Sequence, residues 1–456
     1  MAALRTTSKG QLKKYIESTV ERVEGSMTRR ESLDASTGSF SVKDNKNNRD
    51  ALTEFVKLAR QGTSASETEA HNLVLEVKGS KPTLLFGQIE KPPGKPSRGD
   101  IGEAVIAAAI CARFVYKHGR VTPSQVMGIM KTLGHKGIRN YPGKKGKYVE
   151  AVFKSKNKDE TFFDDVHCYI SLNESAITAA LNPRSEWGKW AYSDNTCIPA
   201  YARSACNYAN SGKVSKWAEV VYTNHRYDKI DIRSDGLGDQ KGTKVDTRVK
   251  ITDYEGQPQP VNINLSMKVD DVKQFGQVSG VNFSVQQELW KQVFGYTTFI
   301  NNMETEFNRL VQEEHKLREA LNMVYDRVAF KANRDIQTNK EGISEVLSKG
   351  ITYFATRHEE DVEVLNLGVG GTKLYDKFEN LYQALVDLEN LQVTIRNQSN
   401  GFRQIDIKGK SPKNNTSQVL ISIRLRRQPQ SGPIEYIRNL IEKSKLLGEL
   451  VAESLD

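Results

Sequence analysis

Residues 227–269 read YDKIDIRSDGLGDQKGTKVDTRVKITDYEGQPQPVNINLSMKV. Three runs in this stretch, 227–233, 244–252 and 261–269, alternate polar with apolar residues or are rich in β-branched residues. Such a period of two is typical of strands that bury one face. The segments between the runs contain Asp-Gly and Glu-Gly pairs, which favour turns. The stretch therefore predicts an antiparallel meander of three short strands.

An acidic residue and a lysine fall on the second and third of these strands. Asp246 lies in the second run, and Ser266-Met267-Lys268 comes near the end of the third. Ser266 and Lys268 share one face, because residues two apart on a strand point the same way. Phosphodiester hydrolysis needs a metal that polarises the phosphate, oxygen ligands for that metal, and a cation that orients the attacking water. Mg²⁺ keeps several waters, so two carboxylates and a backbone carbonyl, such as that of Met267, would hold it.

A second carboxylate is available upstream, at the start of a predicted helix. Residues 98–103 read RGDIGE and lead into 104–117, a run of strong helix formers that is apolar on nearly all sides. This composition predicts a buried helix. Glu103 is expected on its first turn, next to solvent, where it would serve either as a cap or as a metal ligand.

The order of these residues resembles that of the PD-(D/E)xK nuclease superfamily, which has the restriction endonuclease-like fold. The resemblance is strongest to phage and restriction-type members in which serine replaces the second acid. It rests on Gly102-Glu103 on a helix, Lys244-Val245-Asp246 and Leu265-Ser266-Met267-Lys268 on neighbouring strands, and Lys273-Gln274-Phe275-Gly276-Gln277 on a following helix.

Roles for individual residues follow from this resemblance. It implies that Asp246 binds the metal, that Lys268 positions the water nucleophile and that Glu103 completes the metal shell. A glutamine of the following helix, Gln274 or Gln277, would assist. No proline precedes Asp246, and Ser266 stands where the family usually has an acid. Serine is a poor metal ligand, so this departure makes Glu103 more necessary.

The resemblance also implies a fold, an activity and a partner. The fold would be α+β or mixed α/β, with a restriction endonuclease-like core in which helices flank a central mixed sheet. The activity would be that of a Mg²⁺- or Mn²⁺-dependent endonuclease of restriction or phage type. Its substrate would be double-stranded DNA, and the acting form would be a homodimer. The alternative is a non-catalytic nucleic-acid-binding or viral structural protein in which the nuclease-like sheet is only a scaffold.

The chain is long enough for two or three domains. Residues 1–97 are interpreted as an N-terminal extension, which ends at the PPGKP linker. The nuclease-like core is expected at 98–300, with an inserted, mainly helical and basic module at about 120–226. Residues 301–456 are expected to form a C-terminal helical and α+β region. Further predictions are helices at 271–294, 298–333, 374–390 and 434–450, strands at 73–78, 82–89, 361–367, 391–397, 404–408 and 419–427, and a turn at 368–373, whose glycine spacing does not fit a Walker loop.

The charge distribution favours a polyanionic partner. Lysine and arginine number 66 against 56 acidic residues, for a net charge of +10. Between Lys131 and Lys158 only Glu150 is acidic, and aromatic residues interleave with the bases. This mixture suits phosphate contact and base stacking, although a solvated lysine-rich loop has the same composition. The residues predicted to bind nucleic acid are Lys136, Arg139, Lys144, Lys145 and Lys147.

Other classes of protein are disfavoured. The longest uninterrupted apolar run, 104–112, is far shorter than the roughly 20 residues that cross a bilayer. The N-terminus turns polar after Leu4, unlike a secretory signal. We therefore expect a cytoplasmic protein with no membrane partner.

Overall fold

The computed structural model describes most of the chain after residue 96 and short segments before it. The described ranges are 28–29, 37–41, 45–50, 53, 74–78, 81–87, 97–116, 119–136, 139–140, 147–154, 166–173, 175–193, 197–223, 227–234, 245–253, 261–270, 272–280, 282–312, 316–357, 362–368, 371–411, 416–427 and 437–455.

The described segments before residue 97 include four short strands. They form an antiparallel sheet in the order β1-β2-β4-β3. Their bounds are β1 (Thr28–Arg29), β2 (Thr37–Ser41), β3 (Val74–Lys78) and β4 (Lys81–Gly87). The strands predicted at 73–78 and 82–89 are confirmed. The sequence also predicts a helix near residues 11–23, and these lie outside the described residues.

A larger sheet organises the rest of the fold, and we call it the large sheet. Its strands are β5 (Arg139–Asn140), β6 (Lys147–Lys154), β7 (His167–Asn173), β8 (Tyr227–Ser234), β9 (Thr247–Asp253), β10 (Val261–Val269), β12 (Val362–Gly368), β13 (Gly371–Tyr375) and β18 (Ala452–Ser454). Within the described residues their order is β18-β13-β12-β10-β9-β8-β7-β6-β5. β10 pairs with β12 in parallel and with β9 in antiparallel fashion, so the sheet is mixed.

The predicted meander is confirmed. β8 pairs with β9 and β9 pairs with β10, both antiparallel, at nearly the expected bounds. Gly368 and Gly371 face each other across the β12–β13 hairpin, and residues 369 and 370 of the turn predicted at 368–373 lie outside the described residues.

Six helices in the described ranges cover one face of the large sheet, which we call the α1 face. They are α1 (Arg98–Val115), α2 (Pro123–Lys136), α3 (Ser175–Leu181), α4 (Glu186–Ala191), α5 (Cys197–Ala209) and α6 (Gly212–Thr223). α1 is central: every residue from Asp100 to Val115 is buried, which confirms the buried helix predicted from the apolar run that begins at residue 104. Its N-terminus is closed by a capping box formed by Ser97 and Asp100.

A second hydrophobic core packs against the opposite face of the large sheet at β12 and β13, and we call this face the α11 face. Its helices are α7 (Phe283–Phe294), α8 (Thr298–Asn301), α9 (Glu304–Gln312), α10 (Leu317–Thr338), α11 (Lys340–Thr356), α12 (Leu381–Asp387) and α13 (Lys445–Val451). An antiparallel sheet, the C-terminal sheet, packs with them in the order β11-β17-β16-β15-β14. Its strands are β11 (Gln274–Ser279), β14 (Glu389–Asn397), β15 (Arg403–Lys410), β16 (Gln418–Arg427) and β17 (Ile437–Lys443).

Several helix predictions after residue 270 were wrong in part. The helix predicted at 271–294 is a strand, β11, followed by α7, and the one predicted at 434–450 is β17 followed by α13. The helix predicted at 298–333 is divided among α8, α9 and α10. The helix predicted at 374–390 shrinks to α12 and a 3₁₀ turn, between the end of β13 and β14. β11 and β17 pair with each other across roughly 160 residues of sequence, so the local sequence of either strand does not contain its partner.

The sheets connect the expected domains closely. β5, β6 and β7, from the predicted inserted module, lie in the same sheet as the meander. The region after residue 300 supplies β12, β13 and β18 to that sheet, while β11 of the predicted core pairs with β17. The architecture is therefore mixed α/β, with a large mixed sheet flanked by helices.

Candidate active site

Asp246 and Lys268 meet where β9 begins and β10 ends. Thr247 pairs with Leu265, and the Asp246 backbone N–H donates to the Leu265 carbonyl at 2.7 Å. The sequence predicted Asp246 inside the second strand, but it lies one residue before β9. The antiparallel register brings its side chain beside the last residues of β10.

Direct contacts join the carboxylate to this strand end. Oδ2 of Asp246 accepts hydrogen bonds from the Met267 backbone N–H and from Ser266 Oγ, the latter at 3.3 Å. Nζ of Lys268 lies 4.0 Å from the same oxygen. The Asp246 side chain is 13% exposed and that of Lys268 is 20% exposed, so solvent reaches an ion pair that protein otherwise surrounds.

Lys268 has two further acceptors in the cluster. Its ammonium donates to the Met267 carbonyl at 2.8 Å and to Ser266 Oγ at 3.4 Å. The hydroxyl of Ser266 therefore links the lysine to the carboxylate. Serine at this position adds no negative charge, but it fixes the orientation of both charged groups. An ammonium held beside a carboxylate in this way can donate to a water molecule or to a phosphate oxygen bound between them.

Ser266 and Lys268 belong to the α11 face of the large sheet. They pair across β10 and β12 with Val364 and Asn366, and Val364 packs in the second hydrophobic core. The intervening residue Met267 packs in the first core, under α1. The same-face placement predicted for Ser266 and Lys268 is confirmed by this register.

Glu103 belongs to α1, which packs on the other face of β10. It is the sixth residue of α1 and is only 8% exposed, so the expected position on a solvent-facing first turn was wrong. The capping role belongs to Ser97 and Asp100 instead. Its neighbour Gly102 packs against Val269, on the α1 face of β10. Of the three predicted points, the structure puts two in contact, and Glu103 as a metal ligand stays a prediction.

Gln277 lies on a strand, which corrects the expected helix. It belongs to β11 in the C-terminal sheet, where its Oε1 accepts from Gln274 at 3.0 Å and from Arg438 at 3.3 Å. These contacts orient its side chain within that sheet. A catalytic role for Gln277 stays a prediction.

The described residues among those predicted to bind nucleic acid lie towards the β5 edge of the large sheet. Lys136 is exposed at the end of α2, and Arg139 and Lys147 lie on β5 and β6. Lys144 and Lys145 lie outside the described residues. β6 is four strands from β10, or about 19 Å at ordinary strand spacing.

Asp270 was missed by the sequence analysis, yet it anchors the elements around the site. Directly after β10 it adopts a left-handed conformation, with φ of 53°. Its Oδ2 accepts from Arg98 at 2.8 Å and from the Tyr201 hydroxyl at 2.6 Å. Burial, together with Cys197 and the Asp270 carboxylate, raises the pKa of Tyr201 well above its ordinary value, so the hydroxyl keeps its proton and donates. The sequence offered one signal for this residue, an aspartate directly after a predicted strand, because aspartate tolerates the left-handed conformation.

The oxygen donors present suit one kind of metal site. Among the residues that the structure describes, no three His, Cys, Asp or Glu side chains cluster as metal ligands. Asp246 offers a carboxylate, and the Met267 carbonyl lies beside it. Mg²⁺ is commonly held by one or two carboxylates and completed by water and substrate phosphates. The donor set fits such an open site and does not fit a closed structural one.

No protein-family model, curated protein or solved structure matches this chain. A search of the described helices finds none that is long and apolar enough to span a membrane.

Proposed function

We propose that the protein is a Mg²⁺- or Mn²⁺-dependent endonuclease that hydrolyses phosphodiester bonds of DNA, with a restriction endonuclease-like core. The observation that carries this proposal is the contact between Asp246 and the end of β10, with Lys268 Nζ at 4.0 Å from its carboxylate. The proposal extends to double-stranded DNA as substrate, a homodimer as the acting form and the cytoplasm as location.

Each residue of the cluster would have a distinct part in hydrolysis. A bound Mg²⁺ would polarise the phosphate and lower the pKa of the attacking water. Asp246 would hold the cation, with the Met267 carbonyl and Glu103 as further ligands. Lys268 would orient the water and donate to the phosphate oxygen as charge develops there. Ser266 would keep Asp246 and Lys268 in this arrangement through its hydroxyl.

The fold supports the finer assignment. α1 packs on one face of the large sheet, the meander of β8, β9 and β10 follows, and β12 then pairs in parallel with β10 after a helical segment. A mixed sheet with helices on its faces, and an aspartate and a lysine on neighbouring strands, is what the resemblance implies. Asp246 contacts one end of β10, and Gly102, the neighbour of Glu103, packs against Val269 at the same end.

One observation favours a second candidate, a non-catalytic nucleic-acid-binding or viral structural protein. The cation beside Asp246 is Lys268 itself, and its ammonium already donates to the Met267 carbonyl. The polar cluster is therefore satisfied by its own ion pair. In this candidate the same contacts stabilise the strand end, and the nuclease-like sheet serves as a scaffold.

Plasmid nicking separates the two candidates. Supercoiled plasmid is incubated with the purified protein and MgCl₂ or MnCl₂, in parallel with EDTA, and DNA binding is followed by mobility shift. The nuclease proposal expects metal-dependent relaxation that falls by about 100-fold or more in Asp246→Asn and in Lys268→Met, with binding retained. Binding without any metal-dependent nick supports the non-catalytic candidate, and full cutting by Asp246→Asn contradicts the assigned site.

The same sheet provides a matched control pair. Asp231 of β8 and Lys250 of β9 face each other across the strands, as an acid and a lysine away from the cluster. Asp231→Asn and Lys250→Met remove the same charges from the protein. They are expected to cut at the wild-type rate, which would show that the loss in the site variants is local.

A further inference from the structure

A cavity of about 440 Å³ opens where the edge of the large sheet meets the end of the C-terminal sheet. β13 and β18 form one side of it, and the end of β17 with the start of α13 forms the other. Its volume lies in the range of small-ligand sites. None of its lining residues belongs to the Asp246 cluster.

The lining of this cavity is rich in lysine. Lys273 precedes β11, Lys373 lies on β13, Lys443 ends β17 and Lys445 begins α13. These four ammonium groups come from three separate parts of the sequence and meet only in the folded chain. We call the space that they line the lysine cavity. Tyr375 and Ser454 add hydroxyl-bearing side chains to its wall, whereas Ser444 Oγ donates to the Leu420 carbonyl at 3.0 Å.

Two acidic residues in the lining offset only part of the positive charge of the cavity. Glu449 and Glu453 also line it. Glu449 lies 3.6 Å from Lys445, and Glu453 lies 3.2 Å from Lys377, which is outside the lining. Within the described part of the chain, neither Lys273 nor Lys373 forms an ion pair with an acidic side chain.

Lys443 is the most deeply placed of the four lysines, at 7% exposure. Its Nζ donates to the Tyr375 hydroxyl at 3.0 Å and lies 4.9 Å from the centre of that ring. Its backbone N–H donates to the Lys273 carbonyl at 2.8 Å, which fixes the two lysines relative to each other. Its ammonium adds positive charge to the inner wall of the cavity, which an anion would complement.

The lysine cavity lies on the same face of the large sheet as Lys268. Lys268 pairs across the strands with Asn366, and Asn366 pairs with Lys373. Paired residues point to the same face, so Lys268 and Lys373 are two strands apart in one row, about 10 Å at ordinary strand spacing. Asn366 between them is buried, so the lysine cavity and the Asp246 cluster are neighbouring but separate places on this face.

We propose that the lysine cavity is a phosphate-binding pocket, which receives a phosphate group of a nucleotide or of a nucleic-acid strand. Several ammonium groups and hydroxyls around one space match the several oxygens and the double charge of phosphate. The volume leaves room for the sugar or base attached to it. This pocket does not depend on catalysis by Asp246, so it can be tested without cleavage.

The test measures binding in EDTA with three probes: inorganic phosphate, a nucleoside monophosphate and a fluorescent oligonucleotide. The variant Lys273→Ala/Lys373→Ala removes two of the less buried lysines and leaves Lys443 in place. We expect it to weaken binding at least tenfold. Loss of affinity for the two small probes identifies a free phosphate or nucleotide as the ligand. Loss confined to the oligonucleotide, with a salt dependence shallower by about one for each phosphate contact removed, identifies a strand.

Two further variants keep the result interpretable. Lys250→Ala/Lys291→Ala removes the same charge outside the cavity and is expected to bind all three probes with wild-type affinity. Lys373→Arg preserves the positive charge and is expected to retain binding within about threefold. If the cavity variant binds every probe as tightly as wild type, or if the control variant loses as much affinity, the pocket assignment is overturned.

Discussion

A Cβ atom added to Gly102 of α1 would lie 2.5 Å from Cγ1 of Val269 of β10. The helix backbone therefore rests directly on the strand end that carries Lys268. Together with the ion pair between Arg98 and Asp270, this contact sets the depth at which α1 approaches the sheet. The position of Glu103, the next residue of the helix, follows from it.

Gly102→Ala is expected to destabilise the protein. Alanine is favoured over glycine inside a helix by about 1 kcal/mol. The clash with Val269 opposes this gain, and a β-branched side chain has little rotamer freedom to escape it. Overpacking of this kind costs about 1–3 kcal/mol and outweighs the propensity. Urea unfolding measures the difference.

Two variants check this explanation. Gly128→Ala on α2, where an added Cβ meets nothing within 4 Å, should leave stability unchanged or raise it by about 0.5–1 kcal/mol. Val269→Ala should remove the penalty of Gly102→Ala in the double variant. A Gly102→Ala protein as stable as wild type would show that α1 can shift away from β10.

Replacement of Asp246 should affect stability according to whether an acceptor remains. Asp246→Asn keeps an oxygen for the Met267 backbone N–H, whereas Asp246→Ala leaves that donor and Ser266 Oγ without their acceptor. A partly buried donor left unsatisfied costs about 1–3 kcal/mol. We expect thermal unfolding to place Asp246→Ala clearly below Asp246→Asn. Equal melting temperatures would mean that water replaces the carboxylate at this strand end.

Glu103→Gln tests the second metal ligand by its dependence on the cation. The amide has nearly the shape of the carboxylate, so the packing of α1 is expected to survive. Loss of one negative charge should raise the Mg²⁺ concentration for half-maximal plasmid cleavage at least tenfold, while binding of DNA in EDTA stays constant. An unchanged Mg²⁺ dependence would remove Glu103 from the metal shell and leave Asp246 as the principal carboxylate.

The sequence predicted the meander and the pairing of Asp246 with the end of β10 because both depend on short-range signals. Alternating residues and turn pairs lie within one stretch, and an antiparallel register fixes which side chains meet. Asp246 was nevertheless placed inside the strand, since strand ends are weakly encoded. The turn before Lys373 was predicted for the same reason, from neighbouring glycines.

Other parts of the site depend on long-range packing that no local pattern contains. Residues 274–279 form a strand because β17 pairs with them. Since β17 comes much later in the sequence, the local pattern did not reveal this pairing, and Gln277 was wrongly assigned to a helix. Glu103 was expected at the surface because α5, which packs against α1 and helps to bury its first turns, comes almost a hundred residues later. The lysine cavity assembles Lys273, Lys373 and Lys443 from distant segments, and each is an ordinary lysine in its own stretch.

Asp335 is expected to make stability depend on pH in the acid range. Burial tends to raise the pKa of this carboxyl, but hydrogen bonds from Lys331 and Tyr296 outweigh it and lower the pKa below its ordinary value of 3.8. A carboxyl with a lowered pKa stabilises the fold above its ordinary pKa, and the contribution is lost as the pH falls through the lowered value.

Asp335→Asn should therefore cost about 0.5–1 kcal/mol at neutral pH, given the exposure of the ion pair. Urea unfolding across the acid range should show that this difference from wild type shrinks towards zero as the pH falls through the lowered pKa. Glu345→Gln, which removes another carboxyl paired with a lysine at i,i+4 but without the tyrosine, should show a smaller difference at neutral pH. A difference for Asp335→Asn that is the same at both ends of the range would assign its effect to packing rather than to charge.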